Sequence, residues 1–192
     1  MTKFKYSILM RQTLILLCST IFLFISCNDG SDPFLITKHS VGLLTDSTAV
    51  KDIAKVFMKD SIVNRNEGND FTGSNNDIEV YDASGQLMLV LSPKERMDST
   101  STISTIKIVD PKYHTELGLN ANSTFGDIEA NYDISSIQNT IRNVVVFVNN
   151  INGFFTIDKM ELPAELRFDM SKDIESIHIP DQAKIKYFMI GW

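Results

Sequence analysis

Cysteine is nearly absent from this chain: 192 residues contain only Cys18 and Cys27, both near its start. From Asn28 onward there is no thiol, which excludes a disulfide framework, a thiolate nucleophile and a cysteine-ligated metal from that part. Positive charge is scarce too. Lys+Arg 18 against Asp+Glu 24 gives a net charge of −6, the reverse of what phosphate-backbone binding requires, so no nucleic-acid partner is expected. Nine glycines and five prolines are too few for a collagenous or low-complexity chain, and 43% hydrophobic residues exclude wholesale disorder. The histidines, His39, His114 and His178, form no H-x-H or H-E-x-x-H pair. No G-x-S-x-G or G-x-G-x-x-G surrounds any serine or glycine run. No catalytic residue, metal site or cofactor is therefore assigned.

What is present begins with an address. Lys3, Lys5 and Arg11 precede a mostly apolar, uncharged run from Thr13 to Ile25. That run is shorter than the roughly 20 residues of a membrane-spanning helix and suits the h-region of a secretory signal. Phe24-Ile25-Ser26-Cys27 closes it and resembles the lipobox of bacterial lipoproteins of the Bacteroidetes type, with Phe24 where Leu is usual. The resemblance implies cleavage after Ser26 and acylation of Cys27. The thiol takes a thioether-linked diacylglycerol, and each buried methylene contributes about 0.8 kcal/mol, so several chains moor the protein where one would not. The expected partner at this end is membrane lipid. The expected location is the bacterial outer membrane, facing the periplasm or the cell surface. Removal of residues 1–26 would leave 166 residues and take the charge from −6 to −9. Residues 27–33 read as the lipidated cysteine and its tether, and residues 34–192 as one domain.

Within that domain the patterning predicts an α+β fold, an antiparallel sheet with two helices. A strand is expected near Phe34–Lys38 and a helix over Ser47–Met58, capped by Ser47 or Thr48, with Val50, Ile53, Ala54 and Phe57 at helical spacing. A short strand at Ser61–Val63 precedes a polar loop from Asn64 to Asn76. Ile78–Tyr81 and Gln86–Leu91 read as a hairpin around Asp82-Ala83-Ser84-Gly85. After a second polar gap, Pro93–Thr102, comes a strand at Ile103–Val109. A helix from Ser123 or Thr124 to about Tyr132, a hairpin of Val144–Val148 with Phe154–Ile157, and a closing strand through Ile185, Tyr187 and Met189 complete the order. The order suggests a strand–helix–hairpin unit used twice. Gly42-Leu43-Leu44-Thr45-Asp46-Ser47-Thr48 lies over Gly118-Leu119-Asn120-Ala121-Asn122-Ser123-Thr124, and after one gap Asp52-Ile53 lies over Asp127-Ile128.

Two resemblances bear on function. Ile106–Tyr113, Gly118, Ser123–Ile128, Tyr132 and the tail Ile179–Ile185 look like a pattern in uncharacterised envelope lipoproteins whose type member is an envelope-stress-regulated lipoprotein carrying a domain of unknown function. The Gly-x-x-x-x-Ser-Thr corner is similar to the duplicated helix-plus-sheet modules of β-lactamase-inhibitor proteins and small outer-membrane assembly lipoproteins, which implies action by binding other proteins. The expected function is a membrane-anchored, non-enzymatic binding or assembly module of the envelope, with an envelope protein or a glycan as partner. The alternative is a divergent hydrolase acting on carbohydrate, for which Asp158, Glu161, Glu165 and Asp169 supply carboxylates. The loop Asn64–Asp77 offers oxygen ligands but lacks the order of a calcium loop. Strand alternation forbids Phe154 and Phe155 from both facing inward. Phe154, beside an exposed Trp192, is the expected partner surface.

Overall fold

The computed structural model describes residues 32–67, 75–168, 170 and 172–192; Cys27 and the segment before it lie outside these. The compact unit runs Asp32–Trp192. It starts with three two-residue strands, β1 (Leu35–Ile36), β2 (Ser40–Val41) and β3 (Leu44–Thr45). A 3-10 turn at Val50–Asp52 runs into helix α1 (Ile53–Val56). Four strands follow: β4 (Ser61–Glu67), β5 (Asn75–Tyr81), β6 (Leu87–Pro93) and β7 (Ile103–Ile108). Then come β8 (His114–Thr115), helix α2 (Phe125–Asn131) and four more strands, β9 (Ser136–Asn139), β10 (Asn143–Val148), β11 (Gly153–Asp158) and β12 (Ile185–Gly191). The fold is α+β.

The eight longer strands make one antiparallel sheet in the order β4-β5-β6-β7-β12-β11-β10-β9; the short ones form a second, β3-β2-β1-β8, in which only β1 and β8 are parallel. Sheet order therefore reads as two four-stranded meanders, each entered from a helix and joined through their last strands. Their registers correspond. Leu91 pairs with Ile106 as Phe155 pairs with Phe188, and both β6–β7 and β11–β12 carry an irregularity one step further on, at Ser92/Pro93 and Thr156/Ile157. Each meander extends the expected hairpin by a strand on either side, β4 and β7 around β5–β6 and β9 and β12 around β10–β11.

The helix corners match as well, one residue off the alignment of letters. Leu44 and Leu119 are both buried, whereas Leu43 is exposed; the turn Thr115–Leu119 holds one residue more than Val41–Leu44. Gly42 and Gly118 both adopt positive φ, +57° and +85°. At the start of α1, Ser47 and Thr48 do not cap. Ala49 is the N-cap of the 3-10 turn that leads into α1, and the amides of Val50 and Lys51 in that turn donate to the carbonyls of Ser101 and Ser99, both 2.9 Å. Thr48 Oγ1 instead accepts from the Thr45 amide at 3.0 Å, closing the turn before the helix. The equivalent amides of α2, Phe125 and Gly126, donate to Ala183 and Asp181. Thr124 does sit at the N-cap there, and Asp127 accepts its amide at 2.8 Å. Backbone from the loop before each closing strand thus satisfies orphan amides of the corresponding helix start.

One face of the large sheet forms the core. The row Ile62–Val80–Leu89–Ile108–Phe188–Phe155–Val146–Ile137 crosses all eight strands, and its six central residues are buried. Phe155 and Phe188 stack at 4.6 Å between centroids. Ile53 and Phe57 from the first helical segment, Phe125 and Ile128 from α2, Leu44 and Leu119 from the corners, and Leu162, Leu166, Ile174 and Ile179 from the segment before β12 cover it. The polar stretch read as a loop from Asn64 to Asn76 is in part paired strand, with Asn64 opposite Ile78 and Glu67 opposite Asn75.

Candidate functional surface

Because side chains alternate, the row one residue along each strand lies on the other face of the sheet: Val63–Glu79–Val90–Lys107–Met189–Phe154–Phe147–Ser136. None of these eight is buried. The row divides at the seam between β7 and β12. On the first meander it is mixed, Val63 and Val90 flanking Glu79, whose Oε2 accepts from Arg65 Nε at 2.9 Å and from the Tyr81 hydroxyl at 2.6 Å. These two donors, Tyr81 first, hold the Glu79 carboxyl below its usual range. Ser92 Oγ donates to Asp77 at 2.6 Å alongside. On the second meander the row is apolar. Phe154 stacks on Phe147 at 6.0 Å with 24° between planes, and Met189 stands beside Phe154. At the seam Lys107 Nζ lies 4.4 Å from the centroid of Tyr187, a cation–π distance.

Phe154 accordingly lies on the open face, half-buried. Trp192 does not join it. It follows the inward-facing Ile190 by two residues, packs half-buried against the core and donates Nε1–H to the Lys38 carbonyl at 3.2 Å. The exposure expected of Trp192 is corrected: the chain end is pinned to the covered side. The sequence groups Phe147 with Phe154 and Phe155, and Tyr187 with Trp192, as aromatic runs that could meet a partner; it does not single out Met189 or Lys107 as companions of Phe154. Their common row depends on strand register, which only pairing reveals.

The other candidate groups are dispersed. His39 Nδ1 lies 2.7 Å from Asp46, His114 Nε2 3.3 Å from Asp32, and His178 Nδ1 accepts the Glu175 amide at 3.0 Å. Asp158 caps the 3-10 turn Lys159–Glu161 and pairs with Lys186 at 2.9 Å; the Lys186 ammonium is the main cause of its lowered pKa, opposite to the shift a general acid needs. Glu161 accepts the Lys184 amide at 3.4 Å, Glu165 is exposed, and Asp169 is outside the described residues. No group of His, Cys, Asp or Glu among the described residues has the geometry of a metal site, and no described helix is long and apolar enough to cross a membrane.

No protein-family model matches the chain, and no curated protein matches it in sequence. Among solved structures one likeness spans nearly the whole unit. The fold is similar to that of the uncharacterized protein yfeY from Escherichia coli. The two superpose with a TM-score of 0.52 at 16% identity, over 82% of this chain and 99% of that one. At that identity the likeness is one of fold alone.

Proposed function

We propose that this chain is a lipoprotein of the bacterial envelope, moored through acyl groups on Cys27, which acts by binding another envelope protein on the open face of its large sheet. The carrying observation is the uncovered row Met189–Phe154–Phe147 beside Lys107 and Tyr187. Aromatic and methionine side chains are enriched at interfaces, and Lys107 has no carboxylate within ion-pair distance among the described residues. The partner surface that fits is an apolar ridge with a carboxylate placed to meet Lys107. The matched meanders are read as a duplicated unit whose first copy carries a polar network around Glu79 on its open side while the second carries a run of aromatic and methionine side chains. The signal-like leader and Cys27 support the anchor, and a body beginning at Asp32 lies within about 20 Å of the lipid, at roughly 3.3–3.6 Å per residue.

Two measurements test this. Radiolabelled palmitate should enter the wild-type chain and not Cys27→Ala, whose membrane fraction should fall; equal labelling overturns the anchor. A photo-crosslinking residue at position 154 should capture one defined envelope protein, with Lys107→Glu abolishing capture. Crosslinks only to lipid, to glycan or indiscriminately to abundant proteins overturn the binding face.

A further inference from the structure

We propose that the cavity between Phe34, Phe57, Met88 and Tyr113 is a binding site for a small organic cation, an ammonium group carried on an apolar body. The site lies apart from the open sheet face and does not depend on the anchor. Its volume is about 620 Å³, within the span of small-molecule sites. The end of α1 supplies Val56 and Phe57, β6 supplies Met88, and the segments leading into β1 and β8 supply Phe34 and Tyr113. Phe57, Met88 and Tyr113 are 6%, 4% and 3% exposed, so the lining is fixed by packing. Phe34 meets Tyr113 edge to face at 5.2 Å.

Carboxylates and lysines both line the cavity, the lysines on the longer and more mobile stems. Asp60 and Asp82 line it, half-buried. Asp110, 1% exposed, accepts the Lys112 amide through Oδ1 at 2.9 Å. Its Oδ2 has no hydrogen bond, only the Lys112 ammonium 3.5 Å away. Lys59 and Lys112 line the cavity too, exposed, with the Lys112 ammonium 3.9 Å from Asp82 Oδ2; their stems can swing into solvent. The Tyr113 hydroxyl has no hydrogen-bond partner among the described residues. Burial, with the charges of Asp60 and Asp110, pushes its pKa up to about 12, so the phenol stays neutral among carboxylates. Aromatic rings backed by carboxylates favour an organic cation over a neutral or anionic ligand of the same shape. A space beside Tyr132, lined by Ile36, Thr37 and Lys38 together with Ile151, is about 310 Å³ and offers less room for a ligand.

The test uses the full chain with ¹³C-methyl methionine and three probes sharing one phenylalkyl body: phenethylammonium, 2-phenylethanol and 3-phenylpropionate. Phenethylammonium should move the Met88 methyl resonance saturably while exposed Met58 stays still. It should bind about fivefold or more tighter than the alcohol, the advantage a desolvated cation–π contact gives, with the carboxylate weakest. Asp60→Asn should narrow the gap between ammonium and alcohol and leave the alcohol's affinity unchanged. No saturable shift at Met88, equal affinities for ammonium and alcohol in the wild type, or a preference for the carboxylate would overturn the proposal.

Discussion

Lys107 and Met189 stand opposite each other on β7 and β12, at the point about which the large sheet repeats itself. On either side of them Ile108 pairs with Phe188 and Ile106 with Ile190, so each strand meets its neighbour in the same register read from either end. This relationship sets both faces at once. The inward neighbours of the pair are buried isoleucines and Phe188, which weld the two meanders into one core. The pair itself is directed to the open side, where the hydrogen-bonded group around Glu79 gives way to the run Met189–Phe154–Phe147.

Adjacent phenylalanines should differ sharply in cost. Phe155→Ala removes a fully buried ring from its stack on Phe188 and is expected to destabilise by about 3–5 kcal/mol. Phe154→Ala trims a half-buried ring on the open face and should cost clearly less. Urea denaturation of the two variants checks this; equal losses would place position 154 in the core.

Gly42 and Gly85 both hold positive φ, +57° and +83°, yet they separate two effects. A Cβ at Gly85 meets nothing within 4 Å, whereas one at Gly42 comes 2.2 Å from the Pro33 carbonyl oxygen. Gly85→Ala should cost only the left-handed backbone penalty, about 1–2 kcal/mol. Gly42→Ala must also displace backbone at the start of the unit and should cost more, with lost hydrogen-exchange protection near Pro33. Equal midpoints in thermal melts would show that the Pro33 segment yields freely.

The apolar strands were legible because period-two alternation at Ile103–Ile108, Val144–Val148 and Ile185–Ile190 reflects a buried face. β4 was legible only at Ser61–Val63 and β9 not at all, since Asn64, Arg65, Ser136 and Gln138 belong to edge strands with little to bury; composition there speaks of a loop although the backbone is paired. The first helical segment spans only residues 50–56, a 3-10 turn and a short α-helix, rather than Ser47–Met58. Thr48 closes the turn before it, and the Val50 and Lys51 amides are satisfied by Ser101 and Ser99 across the chain, a contact no local pattern encodes. The open face was half legible. Alternation at Phe154–Phe155 identified one outward ring, but its neighbours Phe147 and Met189 come from strands whose register the letters do not carry.

Acid should unfold the protein through carboxylates that the fold keeps ionised. Glu79 is held low by Tyr81 and Arg65, Asp82 by Ser84 and the Gln86 amide, Asp98 by Thr100, and Asp158 by Lys186. Their folded pKa values lie below the unfolded ones, so the stabilisation is complete above about pH 4–5 and drains away as pH falls through the lowered values. Lys186 is raised by Asp158, and its share is complete below the unfolded lysine value and lost only in strong alkali. The urea midpoint should therefore be level from pH 6 to about 9 and fall below about pH 4. Glu79→Gln should make that fall shallower, and an unchanged acid limb would show that Glu79 titrates alike in both states.

The two helix starts make the last contrast. In α2, Asp127 accepts both the amide and the hydroxyl of Thr124, at 2.8 and 3.1 Å. Asp127→Ala leaves that amide without its acceptor and should cost about 1 kcal/mol, the usual worth of a cap. The first helical segment has no side-chain cap at Ala49, and its first amides are satisfied by the backbone of the loop before β7. Ser47→Ala should therefore be nearly silent, within about 0.5 kcal/mol. Inserting two glycines after Thr100 should instead loosen the first helix by moving the Ser99 and Ser101 carbonyls away. Amide exchange at Val50 and Lys51 would report it. If those amides stay protected after the insertion, or if Ser47→Ala costs as much as Asp127→Ala, the first helix is held by its own residues rather than by the loop before its meander's closing strand.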